Sequence, residues 1–196
     1  MISLSSWNVR GLNPPLKQDE VRNLINTYKL SLIGLIETKV NFGRRIYLAK
    51  NLLPEWEVFY NYSSRSNGRI WAAWDPSALS VQLMFCSDQL MHLLVQSIST
   101  QQQFYVLFIY GLNSDLERRP WADICSISSA TQSLPWILAG DFNVVRSVSE
   151  KAGGDLSWTS GMDELNTCCW NAGIEDLKFN GHLLTWSNKN PSNPIS

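Results

Sequence analysis

Four apolar runs of this sequence each finish in side chains able to do polar chemistry. The first ends in Trp7-Asn8-Val9-Arg10-Gly11 and the second in Leu35-Ile36-Glu37-Thr38-Lys39. The third ends in Tyr110-Gly111-Leu112-Asn113 and the fourth in Gly140-Asp141-Phe142-Asn143. Carboxylate and carboxamide oxygens are hard ligands, suited to Mg2+ or Mn2+ rather than to zinc. A carboxylate close to a carboxamide, as in Asp141 and Asn143, holds a water in one orientation. Each residue alone has a plainer use: Asn8 as a turn former, Asp141 and Asn143 in Asx turns, Glu37 as a surface carboxylate. Likewise Tyr110 suits a core and Asn113 a helix cap. Their shared position at the ends of β-type runs is what marks them, because α/β proteins collect catalytic groups at one edge of a sheet.

The elements that must position them follow from the hydrophobic pattern. Ile2 to Val9 alternates like a strand. Pro14-Pro15 opens a helix with Val21, Leu24, Ile25 and Tyr28 at the i, i+3, i+4, i+7 spacing of an inward face. Leu32–Ile36 reads as a buried strand. Further strands are expected at Trp56–Tyr60, Ile70–Trp74, Leu79–Phe85 and Gln89–Ile98, with Asn67-Gly68 and Asp75-Pro76 as hairpin punctuation. Phe104–Tyr110 is expected as a central strand, followed by a helix from near Glu117 with Trp121, Ile124 and Cys125 inward. Pro135–Ala139 is another strand. Ser160 to Asp163 resembles a capping box, opening a helix that Gly173 closes. Leu183–Trp186 is a last short strand, and the tail 189–196 has no periodicity. Strands and helices intermixed around a run of hairpins exclude a purely doubly wound sheet. They favour two sheets packed face to face with helices outside.

Composition removes other classes. Among 196 residues, 44% are hydrophobic and 17% charged, too apolar for a disordered chain. Sixteen basic against seventeen acidic residues give a net charge of -1, so no bulk positive field advertises nucleic acid. The longest apolar run, Phe104–Tyr110, is far shorter than the roughly 20 residues of a membrane span. The N-terminus lacks the charged and apolar regions of a signal peptide. Four cysteines without CxxC or Cys/His metal spacing fit buried thiols of a reduced, intracellular protein.

The ordered series Trp7-Asn8-Val9-Arg10-Gly11, Leu35-Ile36-Glu37-Thr38, Tyr110-Gly111-Leu112-Asn113, Gly140-Asp141-Phe142-Asn143 and Leu184-Thr185-Trp186-Ser187 resembles the endonuclease/exonuclease/phosphatase superfamily. More narrowly, with Glu150-Lys151 and Gly153-Gly154, it is similar to the N-terminal endonuclease domain of plant LINE-type (non-LTR) retrotransposons. The resemblance implies one domain over residues 1–188 with the α/β, four-layer two-sheet sandwich of that superfamily. It also implies Mg2+-dependent hydrolysis of DNA phosphodiesters, with Mn2+ as a substitute cation. By resemblance, Asn8 and Glu37 hold the metal. Asp141 orients or deprotonates the attacking water with help from Asn143. Tyr110 and Asn113 contact the scissile phosphate, Thr185 lies near the phosphate-side hydrogen bonds, and Arg10 binds substrate. The implied partners are DNA and a reverse-transcriptase domain of a longer polyprotein, for a monomer acting in the nucleus.

The superfamily pattern continues to a Ser-Asp-His that supplies a catalytic imidazole, and this sequence reaches Ser196 without it. The expectation is therefore a sandwich missing its last strands, with impaired hydrolysis. His92, within Met91-His92-Leu93, is expected as a half-exposed strand residue, and His182 precedes Thr185 in the wrong place for that imidazole. Arg10, Lys39, Arg44, Arg45, Arg65, Arg118, Arg119, Arg146 and Lys151 fall in loops or element ends, where they could form a local positive rim for DNA. Two alternatives stand beside nicking: a phosphomonoesterase of the same superfamily, and a retroelement remnant that folds or binds DNA without cutting it.

Overall fold

The structure, a computed structural model, describes residues 2–62, 67–112, 120–131, 133–154, 156–181, 184 and 187. The chain divides into two compact units: Met1–Gly111 with Thr131–Asp141, and Leu112–Ala130 with Phe142–Ser196.

The first unit holds two four-stranded mixed sheets. One is ordered β1 (Leu4–Asn8), β2 (Leu32–Asn41), β4 (Asn67–Trp74), β3 (Glu57–Tyr60); β1 and β2 run parallel and the other pairs antiparallel. The second is ordered β5 (Leu79–Cys86), β6 (Leu90–Ser97), β7 (Gln103–Tyr110), β8 (Trp136–Asp141), with only β7 and β8 parallel. Each sheet thus carries one parallel pair, and the expected two-sheet sandwich is present. Its apolar interior forms because both faces of β2 and the inner ends of β4, β6 and β7 are Ile, Leu, Val, Phe and Trp, all removed from water. Gly34 lets the sheets approach closely: a Cβ there would lie 2.2 Å from the buried Phe108 ring.

Helices α1 (Pro15–Tyr28) and α2 (Arg45–Leu52) lie on the first sheet, where Val21, Ile25, Leu48, Ala49 and Leu52 join one cluster with Val9, Leu35 and Trp71. Pro15 sits in the first turn, where its missing N–H leaves no bond unmade. Tyr28, expected inward, is exposed, because the helix ends there and Lys29 turns into the left-handed region. The sequence pattern does not show α2, whose Ile46 and Tyr47 face water beside buried Leu48 and Ala49. Neither punctuation dipeptide makes a hairpin. Asn67-Gly68 opens β4 itself, and Asp75-Pro76 carries the chain from the first sheet to the second. His92 is buried rather than half exposed, stacked on Tyr105 with ring centroids 5.0 Å apart. Burial pushes its pKa from 6.5 to about 4.

In the second unit, α3 (Pro120–Thr131) and α4 (Ser160–Ala172) pack through Cys125 and Cys168, whose sulfurs are 3.9 Å apart. Burial, then Cys125, pushes the Cys168 thiol up to about 12. Trp121 stacks on Phe142 and donates to Glu164. Gly173 ends α4 in the left-handed region, as expected, but the N-cap is Thr159 and its side chain makes no cap bond. The strand expected at Leu183–Trp186 and the tail 189–196 lie outside the described residues, apart from Leu184. No described helix is long and apolar enough to cross a membrane.

Candidate active site

Two parallel strand pairs, one per sheet, bring four of the expected residues together at their carboxyl ends. Asn8 closes β1, Tyr110 closes β7 and Asp141 closes β8, while Glu37 lies in β2. Asn8 Nδ2 donates to Asp141 Oδ2 at 2.6 Å, linking one sheet to the other. The Tyr110 hydroxyl donates to Glu37 Oε1 at 3.3 Å, a second link. The sandwich is therefore pinned at this edge by charge-assisted hydrogen bonds.

Backbone irregularities aim these groups. Beyond Asn8 the chain turns sharply: Arg10 has φ 51° and Gly11 φ 110°. The Arg10 amide donates to Asn8 Oδ1 at 3.1 Å, so Asn8 is the turn former its sequence suggests and a site residue as well. That bond also fixes the carboxamide, since only Oδ1 can accept from the amide, which leaves Nδ2 facing Asp141. In β2 the register against β4 shifts between Ile36 and Val40, and Glu37 and Lys39 adopt φ of 58° and 52°. The strand accordingly continues past its expected end at Ile36 to Asn41, through a bulge that turns Glu37 toward the site. The bulge carbonyls are satisfied, because Gly11 N donates to Glu37 O at 2.9 Å and Leu12 N to Thr38 O at 2.8 Å. Thr38 is buried and donates to Gly68 O. Asp141 is anchored by Gly111 N, which donates to its carbonyl at 2.7 Å. Non-glycine residues held at positive φ are strained, and such strain concentrates at functional sites.

Lys39 Nζ lies 3.0 Å from Glu37 Oε1, and Tyr110 uses the same oxygen, leaving Glu37 Oε2 without a hydrogen-bond partner among the described residues. Asn8 Oδ1 keeps a second lone pair. No group of three His, Cys, Asp or Glu side chains suited to a metal occurs among the described residues. The donor set fits a hard cation that takes one or two protein oxygens and fills the rest of its shell with water and substrate. Burial first, then the Glu37 charge, raises the Tyr110 pKa above its ordinary 10.0, although Arg69 pulls it down. The phenol therefore stays protonated at neutral pH and serves as a donor.

The remaining expected residues divide. Arg10 contributes its backbone amide as described. Asn143, in the second unit, has φ 51° and is half-buried. Asn113 and Thr185 lie outside the described residues, as do Arg65, Arg118, Arg119 and His182. Part of the expected basic rim is engaged within the protein: Lys39 with Glu37, Arg146 with Asp176 at 2.8 Å, and Arg45 stacked on Phe42. One residue was not among the expected ones. Arg69, in β4, donates to the Tyr110 hydroxyl at 3.2 Å. The signal was an arginine one residue before the apolar run Ile70–Trp74, on the strand that pairs beside Glu37.

Two mixed sheets with this constellation at the ends of their parallel strands define an α/β sandwich with a polar edge site. Residues 5–194 match the model of the Endonuclease/Exonuclease/phosphatase family, and the chain belongs to that family. It is a family of hydrolases acting on phosphodiesters or phosphate esters. No curated protein matches the sequence. Among solved structures, the chain is similar to the endonuclease domain of TRAS1, a telomere-specific non-LTR retrotransposon (12% identity, 86% of this chain, 70% of that one, TM-score 0.62). It is similar to the AP endonuclease LMAP from Leishmania major (14% identity, 85% and 65%, TM-score 0.64). A mannosyl-6-phosphatase from Bacteroides thetaiotaomicron also matches (12% identity, 85% and 70%, TM-score 0.54). At these identities the likeness is one of fold. The chain spans 62% of the length of the human Nocturnin catalytic domain, which also matches it.

Proposed function

We propose that this chain hydrolyses DNA phosphodiesters with the help of Mg2+, or of Mn2+ in its place, as a nicking endonuclease of the non-LTR retrotransposon type. The observation that carries the reading is the junction of Asn8, Glu37, Tyr110 and Asp141 at one edge of the sandwich. The ordered sequence motifs and the shared fold of the TRAS1 domain support the retrotransposon branch. Its partners on this reading are DNA and a reverse-transcriptase domain of a longer polyprotein, and its place of action the nucleus.

Asn8 and Glu37 would hold the cation, which when bound neutralises charge on the phosphate oxygens. Asp141 is acceptor-only when ionised, so it orients the attacking water and takes its proton. Its position is fixed by Asn8 and by Gly111. Tyr110 offers a protonated hydroxyl to a phosphate oxygen, a donor aimed where charge develops. Asn143, Asn113, Thr185 and Arg10 keep the supporting roles that the family resemblance gives them. His92 does not serve as the imidazole, being buried against Tyr105 and Trp136 in the second sheet. His182 lies outside the described residues.

A phosphomonoesterase reading rests on the phosphatase among the structures of similar fold. Supercoiled plasmid and mannose 6-phosphate, each with Mg2+, separate the two. Nicking without phosphate release supports the endonuclease; phosphate release without nicking rejects it.

A further inference from the structure

The site is rich in anionic oxygen, yet Lys39 and Arg69 are used very differently. Lys39 sits on the Glu37 carboxylate. The partly buried Arg69 guanidinium meets no carboxylate among the described residues; its side-chain partners are the hydroxyl of Tyr110 at 3.2 Å and the ring face of the same residue, 5.3 Å from the centroid. A guanidinium carries five N–H donors in a planar fork. One neutral phenol uses one of them. The rest stand beside the hydroxyl that itself reaches Glu37.

The residue is also set in place from behind. Asn61 is 4% exposed and its Oδ1 accepts from both Arg69 N, at 2.9 Å, and Ile70 N, at 2.6 Å. Its Nδ2 donates to the carbonyls of Ser87 and Asp88. A buried carboxamide thus spends its bonding capacity on the backbone at Arg69 and ties β4 to the turn before β6. Positions of binding groups are fixed by supporting bonds of this kind. A merely structural arginine would instead be expected to pair with one of the carboxylates nearby, because leaving that charge unpaired is unfavourable in a partly dry site. An unpaired fork beside a phenol donor is suited to a planar array of anionic oxygens, above all a phosphate group.

We propose that Arg69 is an anion-binding residue of this site, its free guanidinium N–H groups donating to oxygens of a phosphate group, with the Tyr110 hydroxyl turning from Glu37 to donate to the same anion. The inference rests on the hydrolytic reading above for the identity of the anion. Its chemistry is shared by a diester linkage and a free phosphate, so two probes are used.

The experiment is calorimetric titration of the full chain with inorganic phosphate and, separately, with thymidylyl-3′,5′-thymidine. Both are done in EDTA, so that no metal contributes. Wild type is compared with Arg69→Met, Arg69→Lys and, as a control for general charge, Lys50→Met on the exposed last turn of α2. Arg69→Met should lose tenfold or more in affinity for at least one probe. Arg69→Lys, which keeps the charge but not the fork, should lose less, and Lys50→Met should stay within twofold. The probe that shows the effect identifies the source of the anion. Equal binding by wild type and both Arg69 variants, or no binding by wild type, overturns the proposal. Should Arg69→Met lose its native circular dichroism, the Arg69→Lys comparison decides. Arg69-dependent binding in a chain that nicks no DNA sustains this inference and rejects the hydrolytic reading. Nicking with binding indifferent to Arg69 does the reverse.

Discussion

Gly140→Ala tests how tightly the fold dictates the site. Gly140 sits opposite Ile109 in the parallel pair β7/β8, one residue before Asp141, with φ 154°. A Cβ built there lies 2.0 Å from the Ile109 carbonyl oxygen and 2.7 Å from its nitrogen. These are backbone atoms of a central strand, so the clash cannot be relieved by turning a side chain. The end of β8 must move. Overpacking of this kind costs about 1–3 kcal/mol, and a residue forced into a sparse backbone region another 1–3 kcal/mol or so. Moving Asp141 also strips the Asn8 bond, a charge-assisted interaction of about 1.5–3 kcal/mol. Together these give a loss of about 3.5–9 kcal/mol, a large share of the roughly 5–15 kcal/mol that holds a domain. Gly173→Ala is the control, because φ is 66° there and no atom lies within 4 Å of the added Cβ. It should lose only the left-handed preference, about 1–2 kcal/mol. Urea unfolding followed by tryptophan fluorescence measures both. A Gly140→Ala loss no greater than that of Gly173→Ala would refute the clash and the claim that Gly140 sets the position of Asp141.

Tyr110→Phe removes the hydroxyl that joins Arg69 to Glu37; hydrolysis should fall about 10²–10³-fold, as for loss of one transition-state donor, and urea unfolding should show a loss of about 1.5–3 kcal/mol for the bond to Glu37. An unchanged rate would take the phenol out of the mechanism. Glu37→Gln should weaken Mn2+ binding by tenfold or more in a titration followed by water-proton relaxation, and equal affinity would remove Glu37 from the metal site. For His92, the folded pKa of about 4 lies below the ordinary 6.5, so the unfolded chain binds more protons between those values. Stability should therefore be full above about pH 6.5 and decline as pH falls toward 4, by at most about 3 kcal/mol. His92→Phe keeps the stack on Tyr105 and should flatten that slope, and an equal slope in the variant would assign it elsewhere.

Much of this was legible in the sequence because the signals were local. Alternating and continuous apolar runs set the strands, Pro15 opened α1, and Gly173 closed α4. The site residues Asn8, Tyr110 and Asp141 stand at strand ends, where a change from apolar to polar is visible in one dimension. What escaped depended on contacts distant in sequence. The bulge at Glu37 is stabilised by carbonyl bonds to Gly11 and Leu12, which no pattern within β2 reveals. Helix α2 has a weak apolar face and is retained by the packing of Leu48 and Leu52 against the first sheet. Arg69 reads as an ordinary strand residue until β4 pairs with β2 and Tyr110 arrives from the other sheet. Burial of His92 likewise comes from Tyr105 and Trp136, on neighbouring strands.

The most direct test of the central claim is the rate of supercoiled-plasmid relaxation in Mg2+ by wild type and Asp141→Asn, with EDTA as the blank. Asp141→Asn keeps the size of the side chain but removes the charge that orients and deprotonates water. Slow, EDTA-sensitive nicking by wild type that falls by 10²-fold or more in the variant is the expected result. Nicking that survives in Asp141→Asn, or none by wild type in Mg2+ or Mn2+, would contradict a hydrolytic site at the junction of Asn8, Glu37, Tyr110 and Asp141.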